Sequence, residues 1–187
     1  MNRAALVLAA GSARRFGSDK LSADFLGEPL VNHAIRAAIA STAQRVIVVA
    51  HPTLDLSEWK SVEVRRITST ALSQSLQAGV EAARDADGVY IFLGDMPLVP
   101  HDLAASLAAR IGHHYAAMPF HDGRFGHPVL LSRAAFADVA ALHGDAGLGK
   151  LLGSRDDIVR VDCSSPFIHA DVDHSSDLSN LARTLQA

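Results

Sequence analysis

Cysteine is almost missing from this sequence, with Cys163 the only one among 187 residues. A lone thiol excludes an internal disulfide framework and fits a reducing compartment. Positive charge is not in excess either, since 17 Lys and Arg stand against 20 Asp and Glu for a net charge of −3. Without a broad basic field, nucleic acid is not expected as a partner, and any bound anion must be held locally. Long apolar runs are lacking as well. The first, Ala4 to Ala10, is too short to span a bilayer or to serve as a secretory core, so a soluble, cytoplasmic protein with no membrane partner is expected. There is no internal repeat and no low-complexity linker. With 49% hydrophobic residues, one domain over residues 1–187 is expected to bury a substantial core.

Two familiar phosphate signatures are also missing. Walker A requires Lys directly after its second glycine, whereas Gly17 is followed by Ser18 and Asp19, and no G-x-G-x-x-G occurs. What stands in their place is the apolar run Ala4 to Ala10 leading into Gly11-Ser12-Ala13-Arg14-Arg15-Phe16-Gly17-Ser18-Asp19-Lys20. A strand feeding a glycine-containing, cationic loop brings backbone N–H groups and countercharge to an anion, although Gly11 and Gly17 could equally serve a tight turn alone.

Strand-like runs then alternate with segments of helical period. Leu30 to Ser41 places Val31, Ile35, Ala38 and Ile39 on one face, and Arg45 to Ala50 reads as a second buried strand. Val62 to Ile67 is polar enough for an edge strand, Leu72, Leu76, Val80 and Ala83 mark a helix, and Val89 to Leu93 a central strand. That strand stops at Gly94-Asp95-Met96-Pro97, leaving the Asp95 carboxylate at its carboxyl end, the edge where open α/β sheets bind ligands. Further helices are expected at Leu103 to Ile111, Phe136 to Leu142, Leu148 to Leu152, and Leu178 to Leu185 with its start marked by Ser175, Ser176 and Asp177. Strands are expected at Tyr115 to Met118, Val129 to Leu131, Ile158 to Val161 and Phe167 to Val172. This alternation predicts an α/β fold, a three-layer α/β/α sandwich on a mostly parallel, Rossmann-like sheet.

Motifs placed along those elements resemble the molybdopterin nucleotidyltransferases, and within them the molybdenum cofactor cytidylyltransferases. Leu8 to Lys20 follows L-A-A-G-x-S-x-R-F-G-x-x-K, with Ala13 at the usual Ser or Gly position. Leu72 to Gly79 looks like S-x-S-L-x-A-G, Gly94 to Pro97 like G-D-M-P, Gly126 to Leu130 like G-x-P-V-L, Gly144 to Gly147 like G-D-x-G, and Asp171-Val172-Asp173 like the start of D-x-D-T-P-E-D. Two stretches depart from the pattern: Leu148-Gly149-Lys150 stands where a small residue and Arg are usual, leaving Lys150 to supply any basic contact. His174-Ser175-Ser176 replaces Thr-Pro-Glu, with Asp177 kept.

The resemblance implies a fold of the nucleotide-diphospho-sugar transferase type and a Mg²⁺-dependent transfer of CMP from CTP to a pterin phosphate, with a molybdoenzyme or its chaperone as a further partner. Such chemistry needs orientation and charge neutralisation rather than a covalent nucleophile. It assigns Arg15, Lys20 and Asp95 as catalytic. Leu8, Ala9, Ala10, Gly11, Ser12, Ala13, Arg15, Lys20, Ser73, Ser75 and Gly94 are then the nucleotide-binding residues, and Gly126, His127, Pro128, Gly144 and Asp145 the acceptor side. Asp95 is expected to hold the metal together with Asp173, with Asp171 on the same face as the alternative. Asp95 could instead cap a helix at Pro97, and Ser73 and Ser75 could cap the helix that carries Leu76. The Ala10 methyl, where members using GTP tend to carry Gly, favours a pyrimidine.

The ten histidines invite a zinc reading, but His113-His114, His121, His127 and His143 lack compact ligand spacing, and surface or capping roles are expected. Cys163 has no evident His-Asp companion to make it a nucleophile. An oxidoreductase is disfavoured by Ala50-His51 where an acidic residue should end the second strand. A guanylyltransferase on the same pterin, a cytidylyltransferase acting on a small sugar or alcohol phosphate, and a non-catalytic nucleotide sensor are the remaining alternatives.

Overall fold

The computed structural model describes residues 1–11, 16 and 19–185. Its first strand, β1 (Arg3–Ala9), alternates Ala5, Val7 and Ala9 toward one face with Ala4 and Leu6 toward the other, all five essentially buried. A strand apolar on both faces belongs in the middle of a covered sheet. The remaining strands are the short β2 (Asp24–Phe25) and β3 (Glu28–Pro29), then β4 (Arg45–Ala50), β5 (Glu63–Arg66), β6 (Gly88–Leu93), β7 (Ala116–His121), β8 (Arg124–Phe125), β9 (Val129–Ser132) and β10 (Ile158–Asp162). Strands β2 and β3 form a separate hairpin, and the main sheet runs β10-β7-β9-β6-β1-β4-β5, with β8 paired to β7. All pairings along that order are parallel except those of β9, which lies antiparallel to both β6 and β7. β5, its four residues all exposed, is the polar edge strand that its composition predicts.

Helices α1 (Leu30–Ile39) and α3 (Leu103–Arg110) pack on one face of the sheet, and α2 (Leu72–Ala82), α4 (Phe136–Ala140) and α5 (Leu148–Leu152) on the other. The three-layer α/β/α arrangement is therefore present. The last helix, α6 (Ser175–Thr184), presses Leu178, Leu181 and Ala182 onto a small third cluster built on Phe25, Leu30 and Val172. Among the described residues no helix is long and apolar enough to cross a membrane.

Three local expectations differ from the structure. The helix from Leu30 ends at Ile39, which is 44% exposed rather than on the buried face, and the Ser41 hydroxyl donates to the Ala38 carbonyl just beyond it. Phe167 to Val172 is not a strand: Pro166 opens a 3-10 turn at Pro166–His169, and the Ser165 hydroxyl accepts the Phe167 N–H. A backbone that starts on proline with a capping serine is already committed to a turn. Neither Ser73 nor Ser75 caps α2, whose N-cap is Ala71 with no side-chain cap bond.

Candidate functional site

The carboxyl ends of β1 and β6 lie side by side, since Leu8 pairs with Leu93 in a parallel register. Just past that point the chain must turn close to its neighbour. The Gly94 N–H donates to the Leu8 carbonyl at 3.0 Å, and a Cβ at Gly94 would sit 3.1 Å from that oxygen and 3.3 Å from the Ala9 Cβ. A glycine there lets Asp95 emerge directly over the end of the sheet.

Lys20 reaches the same place from a short 3-10 turn, Lys20–Ser22, which is anchored by the buried Leu21. Its ammonium donates to Asp95 Oδ2 at 2.8 Å and to Asp173 Oδ1 at 3.4 Å. The Lys20 side chain is only 12% exposed. Asp173 is brought in by the backbone, because the Val172 N–H donates to the Asp95 carbonyl at 3.0 Å while the Val172 side chain is fully buried. Of the two aspartates that share a face in the sequence, Asp173 therefore meets Lys20. Asp171 is exposed and acts on His127 through its charge. Asp177 accepts the N–H groups of Asp173 and His174, and those bonds hold its carboxyl below the usual carboxylate range.

Beside this triad lies a cavity of about 330 Å³ whose floor is Leu8, Ala9, Ala10 and Gly11. Lys20, Asp95 and Ser75 also face it. Ser73 is buried and does not; the opposite wall is formed by Ser69, Thr70, Ala71 and Leu72. That wall follows the carboxyl end of β5, so position at the end of a parallel strand was the signal that could have marked it. Ser12, Ala13 and Arg15 lie outside the described residues. Gly94 supports the site through its contact with Leu8.

A second, larger cavity of about 720 Å³ shares Leu8, Leu72, Leu93 and Asp145 with the first and adds His127, His143 and Lys150. On the expected acceptor side, His127 and Asp145 line it, and so does Lys150. Gly126, Pro128 and Gly144 do not line it, but they shape the loops behind. The Gly126 N–H donates to the Pro119 carbonyl and the Gly144 carbonyl accepts the Ser73 N–H. A Cβ on Gly126 would overlap the Ile168 carbonyl oxygen. The His127–Pro128 peptide bond is cis. Burial lowers the His127 pKa, opposed by the Ile91 carbonyl at 3.4 Å from Nδ1 and by the charges of Asp95 and Asp171.

Chemically, this is a long cleft in two connected parts, with a cation and two carboxylates at one of them. Oxygen-only donors from two carboxylates suit a hard divalent cation that completes its shell with phosphate oxygens and water. The ammonium already bridging them shows that one positive charge fits between the two.

Residues 5–159 match the MobA-like NTP transferase domain family. Purine catabolism protein PucB of Bacillus subtilis is 30% identical over 162 residues, covering 79% of this chain and 78% of that one. A probable molybdenum cofactor guanylyltransferase of Pyrococcus furiosus is 30% identical over 105 residues, 56% of this chain and 53% of the relative. Among solved structures, a homologue of Mycobacterium tuberculosis rv0371c from Mycobacterium sp. strain JC1 superposes with a TM-score of 0.85 at 25% identity. That superposition covers 98% of this chain and 96% of the other.

Proposed function

The chain belongs to the MobA-like NTP transferase domain family, and on that premise we propose that it transfers CMP from CTP to the terminal phosphate of a molybdenum-cofactor pterin. An oxygen of the acceptor phosphate attacks the α-phosphorus, the bond to the β-phosphate breaks, and pyrophosphate leaves. The observation that carries this reading is the contact of Lys20 with Asp95 and Asp173 at the mouth of the cleft floored by Leu8 to Gly11. Lys20 would bind and orient the phosphates, and Arg15 is proposed to join it. Mg²⁺ held by Asp95 and Asp173 would neutralise charge on the phosphate oxygens.

Support for CTP comes from Ala10, which is 1% exposed and lines the cavity, so that its methyl narrows the floor under the base. His127, Asp145 and Lys150, in the adjoining cavity, are the proposed acceptor contacts. A guanylyl transfer to the same acceptor is the second reading, favoured by relatives that are named molybdenum cofactor guanylyltransferases. The deciding experiment supplies Mg²⁺ and each of the four triphosphates, with and without molybdenum-loaded molybdopterin, and measures pyrophosphate. Release that requires both CTP and the pterin is expected. Release with GTP alone among the triphosphates selects the second reading, and no release with any triphosphate refutes both.

A further inference from the structure

We propose that Asp177 is a positioning residue for Asp173, fixing the backbone turn on which that carboxylate stands and thereby its separation from Asp95. The inference rests on the nucleotidyl-transfer reading of the cleft.

The segment that carries Asp173 is neither strand nor helix, so its placement depends on individual bonds. Upstream, the Ile168 carbonyl accepts the His127 N–H at 3.0 Å and the Val172 N–H donates to the Asp95 carbonyl at 3.0 Å. Downstream, a single oxygen, Asp177 Oδ2, accepts the N–H of Asp173 at 2.9 Å and that of His174 at 2.7 Å. Asp173 is thus tied on one side to the backbone of its partner carboxylate and on the other to Asp177.

Helix capping accounts for only one of the two Asp177 bonds. His174 is the N-cap of α6 and Asp177 its third residue, so a reciprocal capping box requires the His174 N–H alone. The bond to Asp173 lies one residue outside that box and does nothing for the helix. It holds the N–H of the residue whose side chain meets Lys20 at 3.4 Å. Asp177 also feels the Lys20 charge, so the ammonium lies within the field of three carboxylates. Groups one bond behind a metal ligand commonly change metal affinity 10- to 100-fold when removed.

Mn²⁺ is titrated into the full chain with CTP present, and bound ion is read by electron paramagnetic resonance against a Mn²⁺–CTP blank. Asp177→Ala is expected to weaken Mn²⁺ binding about tenfold, while Asp177→Asn, which keeps an acceptor oxygen, retains most of it. Ser179→Gly, which weakens α6 at an exposed position outside the cluster that contains Val172, is expected to bind Mn²⁺ as the wild type does. Mn²⁺ binding by Asp177→Ala equal to wild type, or an equal loss in Ser179→Gly, overturns the proposal. Should Asp177→Ala not fold, Asp177→Ser is too short to reach both N–H groups and is read by the same outcomes. A wild-type chain that binds no Mn²⁺ with CTP refutes the nucleotidyl-transfer reading itself, a result distinct from all of these.

Discussion

Replacing Lys20 by Met is expected to do two opposite things, abolishing turnover while tightening metal binding to the nucleotide-free chain. In the structure the Lys20 ammonium stands 2.8 Å from one Asp95 oxygen and 3.4 Å from one Asp173 oxygen. At an effective dielectric near 20, each contact is worth about 4–6 kcal/mol of gross attraction. Desolvation and screening remove most of this, because the two carboxylates are 26% and 45% exposed, and a net of about 1–2 kcal/mol remains. A divalent cation entering the unliganded site must displace the ammonium or share its partners, which costs a similar amount. Lys20→Met removes this ammonium as a competitor for the two carboxylates. Its affinity for Mn²⁺ should therefore rise roughly 5- to 30-fold, the factor that 1–2 kcal/mol represents.

A triphosphate offers the ammonium other partners, so in the wild type CTP should tighten Mn²⁺ binding beyond what free Mn²⁺–CTP explains. Calorimetry or paramagnetic resonance on both proteins, with and without CTP, measures all four affinities. Mn²⁺ binding by nucleotide-free Lys20→Met no tighter than by wild type would refute the reasoning, since it would mean that the ammonium and the metal do not share a position. Pyrophosphate release by the same variant should fall by a factor of about 100 or more, as for the loss of a charge-stabilising group.

Gly126→Ala should destabilise the protein by about 2–3 kcal/mol through overpacking, since the added Cβ overlaps the Ile168 carbonyl and lies 2.8 Å from its Cγ1; a thermal scan should show a midpoint lower by roughly 5–10 °C. His127, whose pKa is lowered by burial, binds a proton more readily unfolded than folded, so stability should decline as pH falls below the unfolded value near ~6.5. That decline should flatten in His127→Gln, and equal pH slopes in the two proteins would contradict the assignment. Ala10→Gly should raise GTP use relative to CTP in the pyrophosphate assay, and an unchanged ratio would remove Ala10 from base selection.

Much of the sheet was legible because its strands are apolar on both faces, a pattern that needs no partner to be recognised. Residues 4–10 and 45–50 read as buried strands from their composition alone, and Val89 to Leu93 did so because a proline two residues beyond Asp95 closes the run. Helical period found the inward faces of α1 and α2 through Val31, Ile35, Leu76 and Val80, all of them buried. The same rule misread the helix ends. Leu72 fits the period of α2 yet is 62% exposed and forms a wall shared by both cavities. An apolar side chain at the first turn has no preceding turn to cover it, so it is as free to line a cleft as to join the core.

Phe167 to Val172 failed as a strand for a different reason. Its composition is that of a strand, but its long-range backbone partners are His127 and Asp95, residues 41 and 77 positions away from Ile168 and Val172. Local pattern carries no information about bonds of that reach. The same holds for the site, where Lys20 is 75 positions from Asp95 and 153 from Asp173. Their convergence could be expected only because ordered motifs resembled a family in which they act together; spacing by itself left Asp171 and Asp173 equivalent. Direction along the extended segment cannot separate those two, because successive side chains point to opposite sides and fixing Val172 inward turns both neighbours the same way. Asp177 then distinguishes between the neighbours by binding the N–H of Asp173 alone. Which aspartate meets Lys20 thus goes with a main-chain hydrogen bond to Asp177, which the identities of Asp171 and Asp173 do not encode.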